Sequence, residues 1–243
     1  MFDVLLRACT NPTAYAGVLK KHTLTVVAVH DLGSNTMAFD LKPTRPCTWV
    51  AGQHGIFSLP QKAVDGKTWR VFSIASAPCE GFIRIATTFP PEPSSYKQAL
   101  RRLVPGDIMT MRGPIGEMHL EAHPKHTVAI AGGIGITPFR AMLAEFAAGL
   151  HPDYNFELVY GGKENFYAFE GELRQWNELP NVNIHFLNTP DEINTTLDAI
   201  VAREHNNAQY FISGSPGMIT AIKKRLCDQD GVAHVVNDPF KGY

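Results

Sequence analysis

The stretch Thr127-Val128-Ala129-Ile130-Ala131-Gly132-Gly133-Ile134-Gly135-Ile136-Thr137-Pro138 decides how the chain is read. It opens on a continuous apolar run, as expected of a strand covered on both faces of a parallel sheet. The glycines that follow allow a tight turn and let a phosphate approach the backbone N–H groups. Thr137 is expected to cap a helix and Pro138 suits a first helical turn. Phe139, Met142, Leu143 and Phe146 then share one side of that helix. A helix N-terminus aimed at an anion is the functional reading. A merely structural strand–helix turn competes with it, because Pro138 stands where the usual G-x-G-x-x-G has its third glycine.

Working outward, the same grammar continues to the C-terminus. Strands are predicted over 156–160, 182–187, 209–213 and 232–236, with helices over 170–176, 192–204 and 216–227. Alternating strands and helices predict a doubly wound parallel sheet. The N-terminal half reads differently, with short alternating strands at 23–29, 36–41, 54–59, 69–74, 82–88 and 108–111 and one helix at 95–103. That pattern predicts an antiparallel six-stranded β-barrel. The expected organisation is an extension over 1–20, a barrel domain over 21–120 and an α/β domain over 121–243.

The composition fits such a chain. Its 243 residues are 44% hydrophobic and 19% charged, a globular mixture. Lys plus Arg number 22 against 23 Asp plus Glu, and that balance argues against general phosphate-backbone binding to nucleic acid. No apolar run reaches the roughly 18 to 20 residues of a membrane helix, and Met1 to Arg7 carries no export-signal pattern, so a cytoplasmic location is expected. Cys9, Cys47, Cys79 and Cys227 lie far apart with no C-x-x-C pair, which disfavours zinc or iron–sulfur ligation. His119, His123 and His126 have ligand-like spacing, but Pro124 breaks any helix that would align them, and solvated or hinge histidines are expected. No metal site is expected.

Three further segments carry chemistry. In Arg70-Val71-Phe72-Ser73-Ile74-Ala75-Ser76, strand alternation puts Arg70, Phe72 and Ile74 on one face and Val71, Ser73 and Ala75 on the other. A guanidinium, a ring and a hydroxyl could serve a phosphate, a planar heterocycle and its nitrogen; an ordinary amphipathic strand is the alternative. Tyr210-Phe211-Ile212-Ser213-Gly214-Ser215-Pro216-Gly217-Met218 is a second buried strand running into a helix, where parallel sheets gather their ligand loops. Asn237-Asp238-Pro239-Phe240-Lys241-Gly242-Tyr243 closes the chain with an acid and two aromatics.

Taken in this order, the segments resemble the ferredoxin–NADP reductase family of flavoproteins, over residues 22–243. The flavin motif R-x-[YF]-S-x-x-S runs from Arg70 to Ser76. Gly52-Gln53-His54 is similar to its P-G-Q-[YFH], and Gly113-Pro114-Ile115-Gly116 to its G-P-x-G. The glycine stretch of 132–138, Tyr160-Gly161-Gly162 and Gly214 to Met218 are similar to its nucleotide segments, with Ser213 where the family has Cys. Asp238-Pro239-Phe240 stands for its E-x-[YF].

The resemblance implies an NAD(P)H oxidoreductase with FAD favoured over FMN. Arg70 and Ser94 would hold the diphosphate and Phe72 would pack on the flavin. Val71 and Ser73 would lie along it, with the Ser73 hydroxyl near N5, while Ile85, Ala86 and Thr87 would line it through their backbone. Two departures lie close by: Pro91 replaces a common glycine and Lys97 a usual leucine. Gly133, Gly135, Thr137, Pro138, Gly161, Gly162, Gly214 and Met218 would receive the dinucleotide. Ser73, Ser213, Asp238 and Phe240 are the implied catalytic group, with Phe240, or its rival Tyr243, over the flavin.

Asn188-Thr189 followed by Asp191-Glu192 replaces the S-R of NADPH-specific relatives. Acids repel a 2′-phosphate, which leans the nucleotide to NADH. The implied acceptor is a separate electron carrier: a ferredoxin, a flavodoxin or an oxygenase component. A non-catalytic flavin-binding subunit of a larger complex and a free-flavin or ferric reductase stand as alternatives.

Overall fold

A computed structural model describes residues 12–237 except Pro124. The chain divides into two compact units, with the division between His119 and Leu120.

In the first unit, six strands form one antiparallel sheet: β1 (Lys21–Gly33), β2 (Thr36–Pro43), β3 (His54–Ser58), β4 (Trp69–Ser73), β5 (Ile83–Thr88) and β6 (Ile108–Ile115). Their order is β4-β3-β6-β1-β2-β5. The two edge strands nevertheless meet, because Ala75 N donates to the Arg84 carbonyl at 2.7 Å just past the end of β4. The sheet therefore curls toward a barrel, which covers its edges. Phe39, Phe57, Ile74, Ile85, Tyr96 and Met111 belong to the core it encloses.

The sequence suggests an extension over 1–20, yet its described part belongs to this unit. A helical turn, α1 (Pro12–Tyr15), leads into a 3-10 turn at Ala16–Leu19. Tyr15 is buried, and Gly116 N and Gly113 N donate to the carbonyls of Ala14 and Lys20. A Cβ on Gly17 would meet the Pro114 carbonyl oxygen at 2.0 Å, so the close approach to β6 requires glycine there.

The second unit is a five-stranded parallel sheet of β7 (His126–Gly132), β8 (Asn155–Gly161), β9 (Val182–Leu187), β10 (Gln209–Ser213) and β11 (Val235–Asn237), in the order β11-β10-β7-β8-β9. After α2 (Ser95–Arg101) in the first unit, the helices here are α3 (Thr137–Ala147), α4 (Glu170–Trp176), α5 (Pro190–Glu204) and α6 (Pro216–Lys224). Chain order runs outward from β7 in both directions, so the loops after β7 and β10 diverge and leave a crevice at the strands' carboxyl ends. Both predicted sheets are thus present.

Element ends differ in instructive ways. The strand predicted over 232–236 begins only at Val235, because Val232 is buried and its N–H bonds the Leu226 carbonyl at 2.8 Å. Its apolar character serves the end of α6, where a π turn over Arg225–Gln229 replaces the last predicted helical residues. Among the described residues no helix is long and apolar enough to cross a membrane.

Candidate functional site

In the first unit the predicted flavin residues lie along β4, on β5 and at the start of α2. Arg70 is 8% exposed, and its Nη1 donates to the carbonyls of Lys67 and Trp69 while Nη2 donates to Ser94 Oγ at 3.0 Å. Ser94 caps α2, its oxygen accepting from Lys97 N. The guanidinium also lies 5.1 Å from the centre of the Tyr96 ring. Arg70 and Ser94, 24 positions apart in sequence, thus share one polar centre.

The alternation expected for β4 does not separate a wet face from a dry one. Val71, Phe72, Ser73, Ile74 and Ala75 are all buried, because the curled sheet is covered on both sides here. Phe72 packs in the barrel core, its ring 5.9 Å from Phe57 and 6.3 Å from Tyr96. Ser73 pairs with His54 in the β3–β4 register. Ile85, Ala86 and Thr87 lie on β5 opposite Phe39, Ala38 and Met37.

Ser76, the motif's second serine, has a structural part that its place in the motif does not reveal. Its hydroxyl donates to the Phe82 carbonyl at 2.7 Å and accepts from Arg84 N at 2.8 Å. Trp49 Nε1 donates to its carbonyl. These bonds clip the end of β4 to the start of β5. Beside them Arg84 grips Asp40 through Nε and Nη2, and His30 adds a bond at 2.8 Å. Burial raises the Asp40 pKa, but the Arg84 and His30 bonds outweigh it and hold the carboxyl below its usual range.

Lys97 is buried beside this centre, and its ammonium donates to the Thr88 carbonyl at 2.6 Å. Burial first, and then the Arg70 charge, lower the pKa of Lys97. Lys67 is lowered for the same two reasons. Arg70 on the Ser94 hydroxyl, with the Lys97 and Lys67 charges close enough to feel it, makes an electropositive pole that suits a phosphorylated ligand. On that observation the residues fit the diphosphate of FAD.

In the second unit a cavity of about 450 Å³ opens at the carboxyl ends of β7 and β8, lined by Gly132, Gly161, Gly162, Asn188, Thr189, Pro190, Ile193, Asn194, Gly217, Met218, Ala221 and Ile222. Of the predicted dinucleotide residues, Gly161, Gly162 and Met218 line it; Gly133, Gly135, Thr137, Pro138 and Gly214 do not. Of those five, Gly135 and Gly214 shape it from behind. A Cβ on Gly135 would meet the Ser213 carbonyl oxygen at 2.3 Å, and one on Gly214 would meet the Met218 sulfur at 2.9 Å. The glycines therefore let the two diverging loops touch through their backbones.

Thr137 is not the helix cap expected of it. The 3-10 turn Gly133–Ile136 runs directly into α3, so Ile136 is already helical (φ −62°, ψ −22°) at the cap position. The Thr137 hydroxyl turns back to donate to the Ile134 carbonyl at 3.1 Å. Pro138 does occupy the first turn. Tyr160, which opens a predicted nucleotide segment, is a buried pin: its hydroxyl donates to the Gly133 carbonyl and accepts from Ala168 N, both at 3.0 Å. Burial raises its pKa, so it stays a neutral hydrogen-bonding phenol.

Asn188 and Thr189 come from the β9–α5 connection, and Pro190, Ile193 and Asn194 from the first turns of α5, a region the sequence marks only through nucleotide preference. Here Glu192 and Thr189 form a capping box. Glu192 Oε2 accepts from Asn188 N at 2.8 Å and Thr189 N at 3.0 Å, bonds that hold its carboxyl below the usual range. Lys163, a cation close by in sequence, is exposed and pairs with Glu164. Ser213 is buried at the end of β10. Asp238, Phe240 and Tyr243 lie outside the described residues.

The amino ends of these strands hold a different cluster. Glu157, 4% exposed, accepts from His185 at 2.8 Å and from Arg203, while His126 pairs with Glu204 at 2.9 Å. His126 is therefore not a freely solvated residue, because this pairing holds its side chain at the start of β7. Among the described residues no group of histidines, cysteines and carboxylates could hold a metal ion.

A curled antiparallel barrel with a cationic pole, followed by a parallel sheet with a glycine-shaped crevice, defines a two-part flavoprotein reductase architecture. Residues 129–224 match the oxidoreductase NAD-binding domain model. One component of the Na(+)-translocating NADH-quinone reductase of Actinobacillus succinogenes is 30% identical over 210 residues, covering 74% of this chain and 50% of that protein. Its Klebsiella pneumoniae counterpart is also 30% identical, over 68% of this chain and 47% of its own. Ferredoxin-NADP+ reductase from Plasmodium falciparum superposes with a TM-score of 0.75 at 17% identity, over 89% of this chain and 95% of that one. A ferredoxin reductase of carbazole 1,9a-dioxygenase gives 0.73 at 19% identity, over 90% and 69%. The chain belongs to the ferredoxin–NADP reductase family. It spans about half the length of the curated relatives it matches.

Proposed function

We propose that this chain is a flavin-dependent oxidoreductase that takes a hydride from NADH onto FAD and passes electrons to a separate protein carrier. The observation that carries the reading is the coexistence of the Arg70–Ser94–Lys97 pole with the glycine-shaped crevice of the second unit. When bound, FAD supplies the hydride-accepting centre and the ability to release electrons one at a time.

Arg70 and Ser94 hold the flavin diphosphate through charge-assisted hydrogen bonds. Ser73 offers its hydroxyl to the flavin nitrogen edge, and the backbone of Ile85, Ala86 and Thr87 lines the ring. Clipped to β5 by Ser76, the end of β4 keeps these groups in place without their having to reorganise. Gly161, Gly162 and Met218 receive the dinucleotide, and Gly135 and Gly214 keep the loops close enough to shape its cavity. Ser213, Asp238 and Phe240 are assigned to the nicotinamide and flavin by resemblance to the family. The site's work is to orient two rings and exclude water rather than to supply an acid or base.

Preference for NADH is supported by Glu192, whose carboxylate is fixed in the first turn of α5 against Asn188 and Thr189, which line the cavity. A 2′-phosphate on the adenosine ribose would meet that charge. The names of the quinone-reductase relatives, which specify NADH, agree. The acceptor is proposed to be a partner protein, since the relatives' names place them in quinone-reductase and dioxygenase systems.

An anaerobic spectrum of the purified protein, before and after stoichiometric NADH or NADPH, tests the proposal. Flavin absorbance near roughly 450 nm should bleach within seconds, faster with NADH. A yellow protein that neither nucleotide bleaches would overturn the reductase reading and leave a flavin-binding subunit. A colourless protein that takes up neither FAD nor FMN would overturn the flavin reading itself.

A further inference from the structure

Lys97 is the least expected residue of the barrel unit. It sits on the inner side of α2, 9% exposed, where an apolar residue would satisfy the packing. Its ammonium makes a single hydrogen bond within the chain, to the Thr88 carbonyl at 2.6 Å, so two of its three donors are uncommitted. No carboxylate lies within ion-pair distance of it among the described residues. The charge that acts on it is another cation, Arg70, whose Nη2 bonds the same Ser94 hydroxyl that the Lys97 backbone N–H approaches at 3.4 Å. A buried ammonium beside a buried guanidinium is costly unless an anion joins them. A leucine would avoid that cost, so the lysine needs a compensating partner that the polypeptide does not provide.

We propose that Lys97 and Arg70 together form a two-cation clamp for the diphosphate of FAD, with Lys97 binding a phosphate oxygen directly. The proposal rests on the flavin reading above and adds to it a binding residue that the family pattern, with leucine at this position, lacks. Thr88 O anchors the ammonium so that its free donors have a fixed direction, while Ser94 fixes the guanidinium. The clamp also explains how FAD can be retained with Pro91 in place of the family's glycine. A backbone N–H is lost there, and a charge-assisted donor is added six positions on.

The competing account is that Lys97 merely braces the Thr88 carbonyl. The two separate in apoprotein stripped of flavin and titrated with FAD and with riboflavin, which has no phosphate, by quenching of flavin fluorescence. If Lys97 clamps the diphosphate, Lys97→Leu weakens FAD binding about 10- to 100-fold. Riboflavin affinity stays unchanged, and Lys97→Arg keeps most of the FAD affinity. The leucine apoprotein should also unfold at the same urea concentration as wild type or a higher one, because an uncompensated charge has been removed. Added salt should weaken FAD binding more steeply in wild type than in Lys97→Leu.

Equal FAD affinity in wild type and Lys97→Leu would overturn the clamp. So would an equal loss of FAD and riboflavin binding, or a less stable leucine apoprotein with an unchanged FAD-to-riboflavin ratio, since both are what a brace predicts. Failure of the wild-type apoprotein to bind any flavin would instead refute the flavin reading on which the clamp rests.

Discussion

Gly135→Ala is the sharpest test of how the second unit builds its crevice. The added Cβ would lie 2.3 Å from the Ser213 carbonyl oxygen, 2.5 Å from its carbon and 2.7 Å from Gly214 N. All three are backbone atoms, so no side chain can swing aside. Reaching ordinary contact at 3.4 Å requires the two loops to part by about 1 Å, the difference between 3.4 and 2.3 Å. Overpacking of this kind costs about 1 to 3 kcal/mol, and backbone opposition puts this case at the upper end. The same displacement would carry Gly214, Met218 and Gly132 apart, and a misplacement of about 1 Å can cost roughly a hundredfold in a positioned reaction. Gly133→Ala is the matched control. Gly133 has φ +52°, and a Cβ there meets nothing within 4 Å. It should lose about 1 to 2 kcal/mol to backbone strain alone and keep the spacing of the loops. Urea unfolding gives the stability and NADH fluorescence titration gives the binding. Gly135→Ala should lose both, and Gly133→Ala mainly stability. Wild-type unfolding and NADH affinity in Gly135→Ala would refute the claim that loop contact shapes the cavity.

The remaining predictions touch other parts of the molecule. Ser76→Ala removes two hydrogen bonds of a buried hydroxyl and leaves the Arg84 N–H and Phe82 carbonyl short of partners; it should cost about 1 to 3 kcal/mol in urea unfolding and weaken FAD retention although Ser76 need not touch the flavin. Asp40→Asn breaks a nearly buried carboxylate–guanidinium pair and should destabilise by about 3 kcal/mol; a thermal midpoint equal to wild type would show that the pair is energetically idle. Asp40 and Glu157 have folded-state pKa values below their ordinary 3.8 and 4.5, so the stability they contribute is present above those values. It should fade as pH falls through the lowered folded values, and Asp40→Asn should flatten that acid limb. Glu192→Gln removes the fixed charge beside the cavity and should narrow the preference for NADH over NADPH, most visibly at low salt; an unchanged ratio of the two reduction rates would move the determinant elsewhere.

How much of this was legible in the sequence follows from the range of each interaction. The sheets were legible because burial on one face or on both writes a period into the chain, and β7 through β10 carry it plainly. The glycine positions were legible too, since close backbone approach excludes every other residue. Their roles were not. Gly135 reads as a phosphate-facing turn, and only its 2.3 Å approach to Ser213, 78 positions away, shows it to be a spacer between loops. Thr137 has the residue type of a cap, but a cap also needs an extended backbone, which the incoming 3-10 turn denies it. Ser76 looks like part of a ligand motif, while its two bonds are made to the next strand.

Lys97 shows the limit most clearly. The sequence marks Lys97 only as a lysine where the family usually has leucine, and nothing nearby in sequence says what its charge would meet. Its meaning depends on Arg70 and Thr88 arriving from two other strands, and those meetings are set by the curl of the sheet. A pattern of residue types can therefore place a ligand on one face of a domain. The division of labour among the polar groups there, between holding the ligand and holding the fold, is decided by contacts of long sequence separation. That is why Arg70 could be anticipated and Lys97 could not: the former follows from a motif, and the latter from a buried charge that lacks an anion.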